Sequence, residues 1–140
     1  MGPIFLVGAA AILAACGPES SAFELADGEL HYRATTATGR PLLEGRLTLT
    51  FPTDSTVAGT WELQWSVGAD TTSPVGPQIG TGALVGTRRA NTLLLELNPG
   101  YVDNNVNLRG IATRGGLRGD WTWATIAGPY TSGPFSAVPD

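Results

Sequence analysis

Leu43-Glu44-Gly45-Arg46-Leu47-Thr48-Leu49-Thr50-Phe51 alternates without a break. Successive side chains of an extended strand point to opposite faces, so Leu43, Gly45, Leu47, Leu49 and Phe51 share one side and Glu44, Arg46, Thr48 and Thr50 the other. Pro52-Thr53-Asp54-Ser55-Thr56 supplies turn residues. Beyond it Val57, Gly59, Trp61, Leu63 and Trp65 again share a face, opposite Ala58, Thr60, Glu62, Gln64 and Ser66. The segment is a β-hairpin with one dry face.

The same design recurs toward the C-terminus. Val106, Leu108, Gly110 and Ala112 alternate with Asn105, Asn107, Arg109 and Ile111; Arg114-Gly115-Gly116 turns the chain; Leu117, Gly119, Trp121, Trp123 and Thr125 alternate with Arg118, Asp120, Thr122 and Ala124. A weaker hairpin spans Gly82–Arg88 and Thr92–Leu97, turning at Arg89-Ala90-Asn91. Leu30–Thr36 and Pro134–Val138 add a strand at either end, with Gly128–Pro134 read as the loop before the last one. No stretch after residue 16 shows the 3.6-residue period of a helix. The expectation is an all-β domain, a small antiparallel up-and-down β-barrel of about eight strands. A two-sheet β-sandwich is the alternative that alternation equally permits.

An apolar residue, any residue and then glycine occurs five times: Leu43-Glu44-Gly45, Val57-Ala58-Gly59, Leu84-Val85-Gly86, Leu108-Arg109-Gly110 and Leu117-Arg118-Gly119. Glycine weakens a strand, so repeated placement needs a reason. Strong coiling of a small closed sheet is one. Room for a neighbouring indole is another, as Gly59 before Trp61 and Gly119 before Trp121 suggest. These Gly-x-Trp strands weakly resemble those of lipocalins and avidins, which would imply a barrel that holds a small ligand.

The N-terminus reads differently. Ile4 to Ala15 is continuously apolar and too short to span a bilayer, which takes about 20 apolar residues. It ends in Leu13-Ala14-Ala15-Cys16, which contains the only cysteine of the 140 residues. This resembles the lipobox of bacterial lipoproteins. The resemblance covers residues 1–16 only and implies a signal peptide at 1–15 and an acylated Cys16; Gly17-Pro18-Glu19-Ser20-Ser21 then reads as part of a short flexible tether at 16–22, and length and composition suit a single domain at 23–140. Two or three acyl chains would hold such a protein stably to a membrane. Gly17 stands where Asp would favour inner-membrane retention, so in a Gram-negative host the outer membrane is expected. Met1-Gly2-Pro3 lacks the Lys or Arg usual in that family; an upstream start or a weak signal would account for it. A buried N-terminal element with a structural cysteine is the alternative.

Charge and motif content exclude several functions. All 8 basic residues are Arg, they are scattered, and the formal net charge is -4, which disfavours nucleic acid as a partner. One His and one Cys cannot build a His/Cys metal centre. His31 has no Gly-x-Ser-x-Gly elbow to serve and reads as an exposed strand residue. Asp103-Asn104-Asn105 lacks calcium-loop spacing. Asp54, Asp70, Asp103 and Asp120 are carboxylates that no spacing pairs. Arg118-Gly119-Asp120 matches an adhesion tripeptide but lies inside a strand. No metal, cofactor or catalytic residue is expected, and the chain is read as a non-enzyme. Trp61, Trp65, Trp121 and Trp123 line either a ligand pocket or the core. The loop Val67–Ile79 would sit over one barrel end, as a lid or a plain connection. Two functions follow: an anchored module binding a small apolar or amphipathic molecule inside the barrel, or a solid barrel that docks an envelope protein.

Overall fold

A computed structural model describes residues 23–140. The lipobox, Cys16 and the tether lie outside the described residues. Eight strands follow in order: β1 (Gly28–Thr35), β2 (Pro41–Thr50), β3 (Thr56–Trp65), β4 (Gly80–Arg89), β5 (Thr92–Glu96), β6 (Asn104–Thr113), β7 (Gly116–Thr125) and β8 (Gly128–Pro139). Each pairs antiparallel with the next. β8 then pairs with β1, from Leu30↔Pro139 to Ala34↔Phe135, so the sheet closes into an up-and-down barrel. Closure removes the sandwich alternative and leaves no sheet edge between the first and last strands.

The inner face carries the residues that alternation assigns to it. Leu43, Leu47, Leu49, Val57, Trp61, Leu63, Val106, Leu108, Leu117 and Trp121 are all buried in one core, and Leu84, Leu93, Leu95 and Phe135, whose facing alternation did not assign, join them. Leu84 points inward with 1% of its surface exposed. The weaker β4–β5 hairpin does turn through Ala90 and Asn91.

The glycine motif has one dominant cause. A Cβ on Gly45 would meet the Glu62 carbonyl oxygen, on Gly59 that of Thr48, on Gly86 that of Leu94, on Gly110 that of Arg118 and on Gly119 that of Arg109. At each of the five positions a neighbouring strand crosses too closely for any side chain, as the coiling of a small barrel demands. Space for the indoles comes from elsewhere. Gly82 lies opposite Trp61 and Gly133 opposite Trp121 in the strand register, and a Cβ there would press on the rings. The expectation that Gly59 and Gly119 make room for Trp61 and Trp121 is therefore corrected: the room is made across the ladder, not along the strand.

The last strand begins earlier than turn chemistry predicts. Gly128–Pro134 belongs to β8, not to a loop. β1 stops pairing with β8 at Ala34↔Phe135, so the preceding stretch is laddered only to β7. Pro129 and Pro134 can direct their missing N–H to the unpaired side, where no ladder bond is lost.

Up-and-down connectivity places the β1–β2, β3–β4, β5–β6 and β7–β8 connections at one end, called upper here. The remaining turns, the chain's entry at Phe23 and its end at Asp140 lie at the lower end. Residues before β1 close that lower end. Leu25 is buried, Phe23 packs edge-on against Phe51 with ring centroids 5.0 Å apart, and the Arg88 guanidinium lies 3.7 Å from the Phe23 ring centroid. Asp27 accepts a hydrogen bond from the Phe51 backbone N–H at 3.0 Å, and Glu24 pairs with Arg114 at 3.3 Å.

Candidate functional site

The upper end concentrates the tryptophans and most of the exposed apolar surface. Trp61 and Trp121 belong to the core, and each indole N–H is used internally. Trp61 Nε1 donates to the Leu97 carbonyl at 2.8 Å; Trp121 Nε1 donates to the Thr35 carbonyl at 3.0 Å. Trp65 and Trp123 are half-buried and pack on the core from its upper rim. Trp123 Nε1 donates to Asn104 Oδ1 at 2.8 Å, and the Trp123 ring meets Tyr130 edge-on at 4.9 Å. Of the four tryptophans, Trp61 and Trp121 thus fill the barrel, while Trp65 and Trp123 stand where the core meets its upper surface.

The β3–β4 connection reaches across this end to the opposite wall. Val75 is buried in the core, Gly76 abuts the Trp123 ring, and Thr131 of β8 donates its hydroxyl to the Pro74 carbonyl at 2.7 Å. Gln78 is fully buried, and its Nε2 donates to the Val75 carbonyl at 2.7 Å. The segment therefore packs as a plug over the barrel mouth.

Among the described residues, two buried side-chain polar atoms have no hydrogen-bond partner: the Tyr32 hydroxyl and Gln78 Oε1. Tyr32 is wholly inside and stacks on Phe135 at 5.5 Å. Burial raises its phenol above the ordinary value. A second polar cluster fixes the β5–β6 connection. Asn105, which is buried, accepts the Asn98 backbone N–H at 2.9 Å, and Asn98 Nδ2 donates to the Asn104 carbonyl at 2.8 Å.

The remaining candidates do not converge. Asp54 lies in a lower turn, Asp70 and Asp103 in separate upper connections, and Asp120 on β7, opposite Arg109 in the register. The Thr72 hydroxyl and the Thr72 backbone N–H, both donating to Asp70 Oδ1, hold that carboxyl below its usual range against a small desolvation effect, with a further pull from Arg40. Among the described residues no three of His, Cys, Asp and Glu are grouped to hold a metal ion. His31 is half-buried and accepts a long contact of 3.4 Å from Arg33 Nε. Arg118-Gly119-Asp120 lies in the interior of β7. Two clefts that share Arg46, Glu62 and Thr81 are lined largely by residues of the outer wall, with Trp61 and Leu63 contributing from behind.

What the sequence pattern did not single out is the set of exposed apolar residues. Nine large apolar side chains are exposed among the described residues. Val85, Leu94 and Ile111 lie on the wall formed by β4, β5 and β6. The other six, Val67, Ile79, Tyr101, Val102, Ile126 and Tyr130, ring the upper end. Val67, Val102 and Ile126 are 94%, 90% and 90% exposed. Their one sequence signal is an apolar residue standing in a turn-rich segment, as in Ser66-Val67-Gly68 and Thr125-Ile126-Ala127-Gly128.

In comparisons with known proteins, no family model, no curated protein and no solved structure matches this chain.

Proposed function

We propose that this chain is a lipid-anchored envelope protein, held through acylated Cys16, that works through the surface of a solid barrel. The observation that carries the second half of this reading is the occupied interior. Leucines, two tryptophans and the Tyr32–Phe135 stack fill the axis, the 23–27 segment covers one end and the Val75–Gln78 segment the other. Buried tryptophans that donate to backbone carbonyls act as struts, and they leave no indole N–H to orient a ligand. This favours the docking alternative over an apolar guest in the barrel.

The anchor half rests on Leu13-Ala14-Ala15-Cys16. The tether would leave from Phe23 at the lower end, so the upper end would face away from the membrane that holds the lipid. In a Gram-negative host the outer membrane is the proposed location.

The test is expression of the full chain in a bacterial host fed an alkyne-tagged fatty acid. Label on the wild-type chain and its loss in Cys16→Ser support the anchor; an unlabelled wild-type chain overturns it. Native mass spectrometry of the same protein after delipidation checks the interior. A bare polypeptide mass is expected. A discrete added mass that disappears in Trp61→Ala would return the barrel to ligand binding.

A further inference from the structure

We propose that a cleft on the outer wall, between the start of β3 and the β4–β5 hairpin, is a phosphate-binding site. Arg88, Arg89 and Arg109 line it together with Thr56, Thr87 and Thr92. No carboxylate stands among the described residues that line it, although the chain carries a formal net charge of -4. The strand register explains the gathering. Thr56 of β3 faces Thr87 of β4, Thr87 faces Leu94 of β5, and Leu94 faces Arg109 of β6; Arg89 faces Thr92 across the β4–β5 ladder. Leu84, Leu93, Leu95 and Leu108 point into the core, so alternation turns Thr87, Arg89, Thr92, Leu94 and Arg109 outward. Arg88 joins them from the lower end, where its guanidinium lies over Phe23.

The donors of this cleft are unspent. Among the described residues the ion pairs are Arg46–Glu29 and Arg114–Glu24, and none of the three cleft arginines has one. Asp120 faces Arg109 in the β6–β7 register without pairing with it. Arg88 gives its Nε–H to the Ala90 carbonyl at 3.2 Å, which leaves its terminal nitrogens to donate. Thr53 Oγ1 accepts the Ser55 and Thr56 backbone N–H groups at 3.2 and 3.1 Å. With both lone pairs occupied, its hydrogen goes to Thr56 Oγ1 at 2.7 Å, so the Thr56 hydroxyl keeps its own hydrogen for a ligand.

The arrangement selects phosphate over a carboxylate. A planar carboxylate is satisfied by one guanidinium fork. Guanidinium and hydroxyl donors arriving from four successive strands suit an anion whose acceptor oxygens point in different directions, and a phosphate group has the charge to match more than one arginine. Leu94 lines the same cleft, with the exposed Val85 and Ile111 on the same wall, so the organic part of a phosphate ester finds apolar surface beside the anion. A lipid headgroup and a free phosphate share this chemistry. The inference gives the outer wall a ligand and holds whether or not Cys16 is acylated.

The test uses the full chain, expressed in a bacterial host with isotope-labelled arginine and purified in a neutral detergent. Inorganic phosphate is titrated at constant ionic strength while the arginine Nε–H signals are followed by nuclear magnetic resonance. Saturable movement of the Arg88, Arg89 and Arg109 signals is expected. Arg89→Gln combined with Arg109→Gln should weaken phosphate about tenfold or more, read at Arg88, without moving the melting temperature, because both side chains are exposed. Arg33→Gln combined with Arg40→Gln removes the same charge away from the cleft and should leave the affinity unchanged. No saturable movement, undiminished binding in the Arg89/Arg109 variant, an equal loss in the Arg33/Arg40 variant, or acetate binding as tightly as phosphate overturns the proposal. Hexyl phosphate then separates the two sources. Tighter binding than inorganic phosphate, with the gain lost in Leu94→Ser, assigns a lipid phosphate; equal binding assigns a free one. No step requires an acylated cysteine, so failure here is separable from failure of the anchor.

Discussion

At the scale of single residues, the most informative position is Tyr32. Its ring fills the axis against Phe135 while its hydroxyl finds no partner. An unmade hydrogen bond costs the desolvation of the group and returns nothing. Tyr32→Phe is therefore expected to raise stability by about 1 kcal/mol in urea unfolding; a loss of that size would show that the hydroxyl is satisfied, for instance by an enclosed water. The pH dependence has a definite sign. Burial raises the phenol pKa in the folded state above the unfolded value of about 10. The folded state thus favours the neutral phenol. Its advantage is complete below about pH 10 and is lost as pH rises above that toward the folded value. Alkaline titration should show wild-type stability falling more steeply than that of the Y32F chain above about pH 10; parallel curves would remove Tyr32 as the cause.

At the scale of elements, strands were legible wherever one face is dry. β2, β3, β6 and β7 follow from alternation alone because each must send every second side chain into the core. The start of β8 was not legible, since Gly128, Pro129, Gly133 and Pro134 carry loop chemistry and only the end of β1 explains why they are tolerated in a strand. Nor were the plugs. Val75 and Gln78 have no periodicity, and their burial depends on where the opposite wall happens to stand. The upper rim escaped for a similar reason: Val67, Val102 and Ile126 become a set only once three distant connections share one end. The glycine motif was visible but its cause was only half read, because the close approach involves the neighbouring strand's carbonyls. That cause is testable. Gly119→Ala would drive a Cβ into the Arg109 carbonyl and to 2.6 Å from the Gly110 Cα, both backbone. Since neither can rotate away, a cost of about 2–3 kcal/mol is expected. Gly115→Ala is the control: its Cβ would find only the Thr113 hydroxyl, at 3.6 Å, and should stay within about 0.5 kcal/mol of wild type. Equal effects at the two sites would mean that strand coiling is not what requires Gly119.

At the scale of the whole molecule, the barrel is two interlocked halves. β3 and β7 are four strands apart and make the same set of contacts. Gly59 and Gly119 lie under a carbonyl of the preceding strand, that of Thr48 and that of Arg109. Trp61 and Trp121 lie over glycines of the following strand, Gly82 and Gly133. Each indole then crosses to the other half: Trp61 of the first four strands holds the carbonyl just beyond β5, and Trp121 of the last four holds the carbonyl at the end of β1. Neither half can complete its tryptophan bond alone. The closed sheet adds the β4–β5 and β8–β1 ladders between them. Unfolding should therefore be a single cooperative transition. The two struts are not equal, because Leu97 is buried and Thr35 is half-exposed. Trp61→Phe strands the Leu97 carbonyl without solvent, whereas water can replace the indole at Thr35 in Trp121→Phe. Both lose ring volume, and Trp61→Phe is expected to cost about 1 kcal/mol more, the penalty for a buried polar group left unpaired. Urea unfolding followed by both tryptophan emission and far-ultraviolet circular dichroism checks this. Coincident single transitions, displaced furthest in the Trp61 variant, are the expected outcome. A biphasic curve in either variant would mean that the halves unfold separately, and the strut across the axis would then not be what joins them.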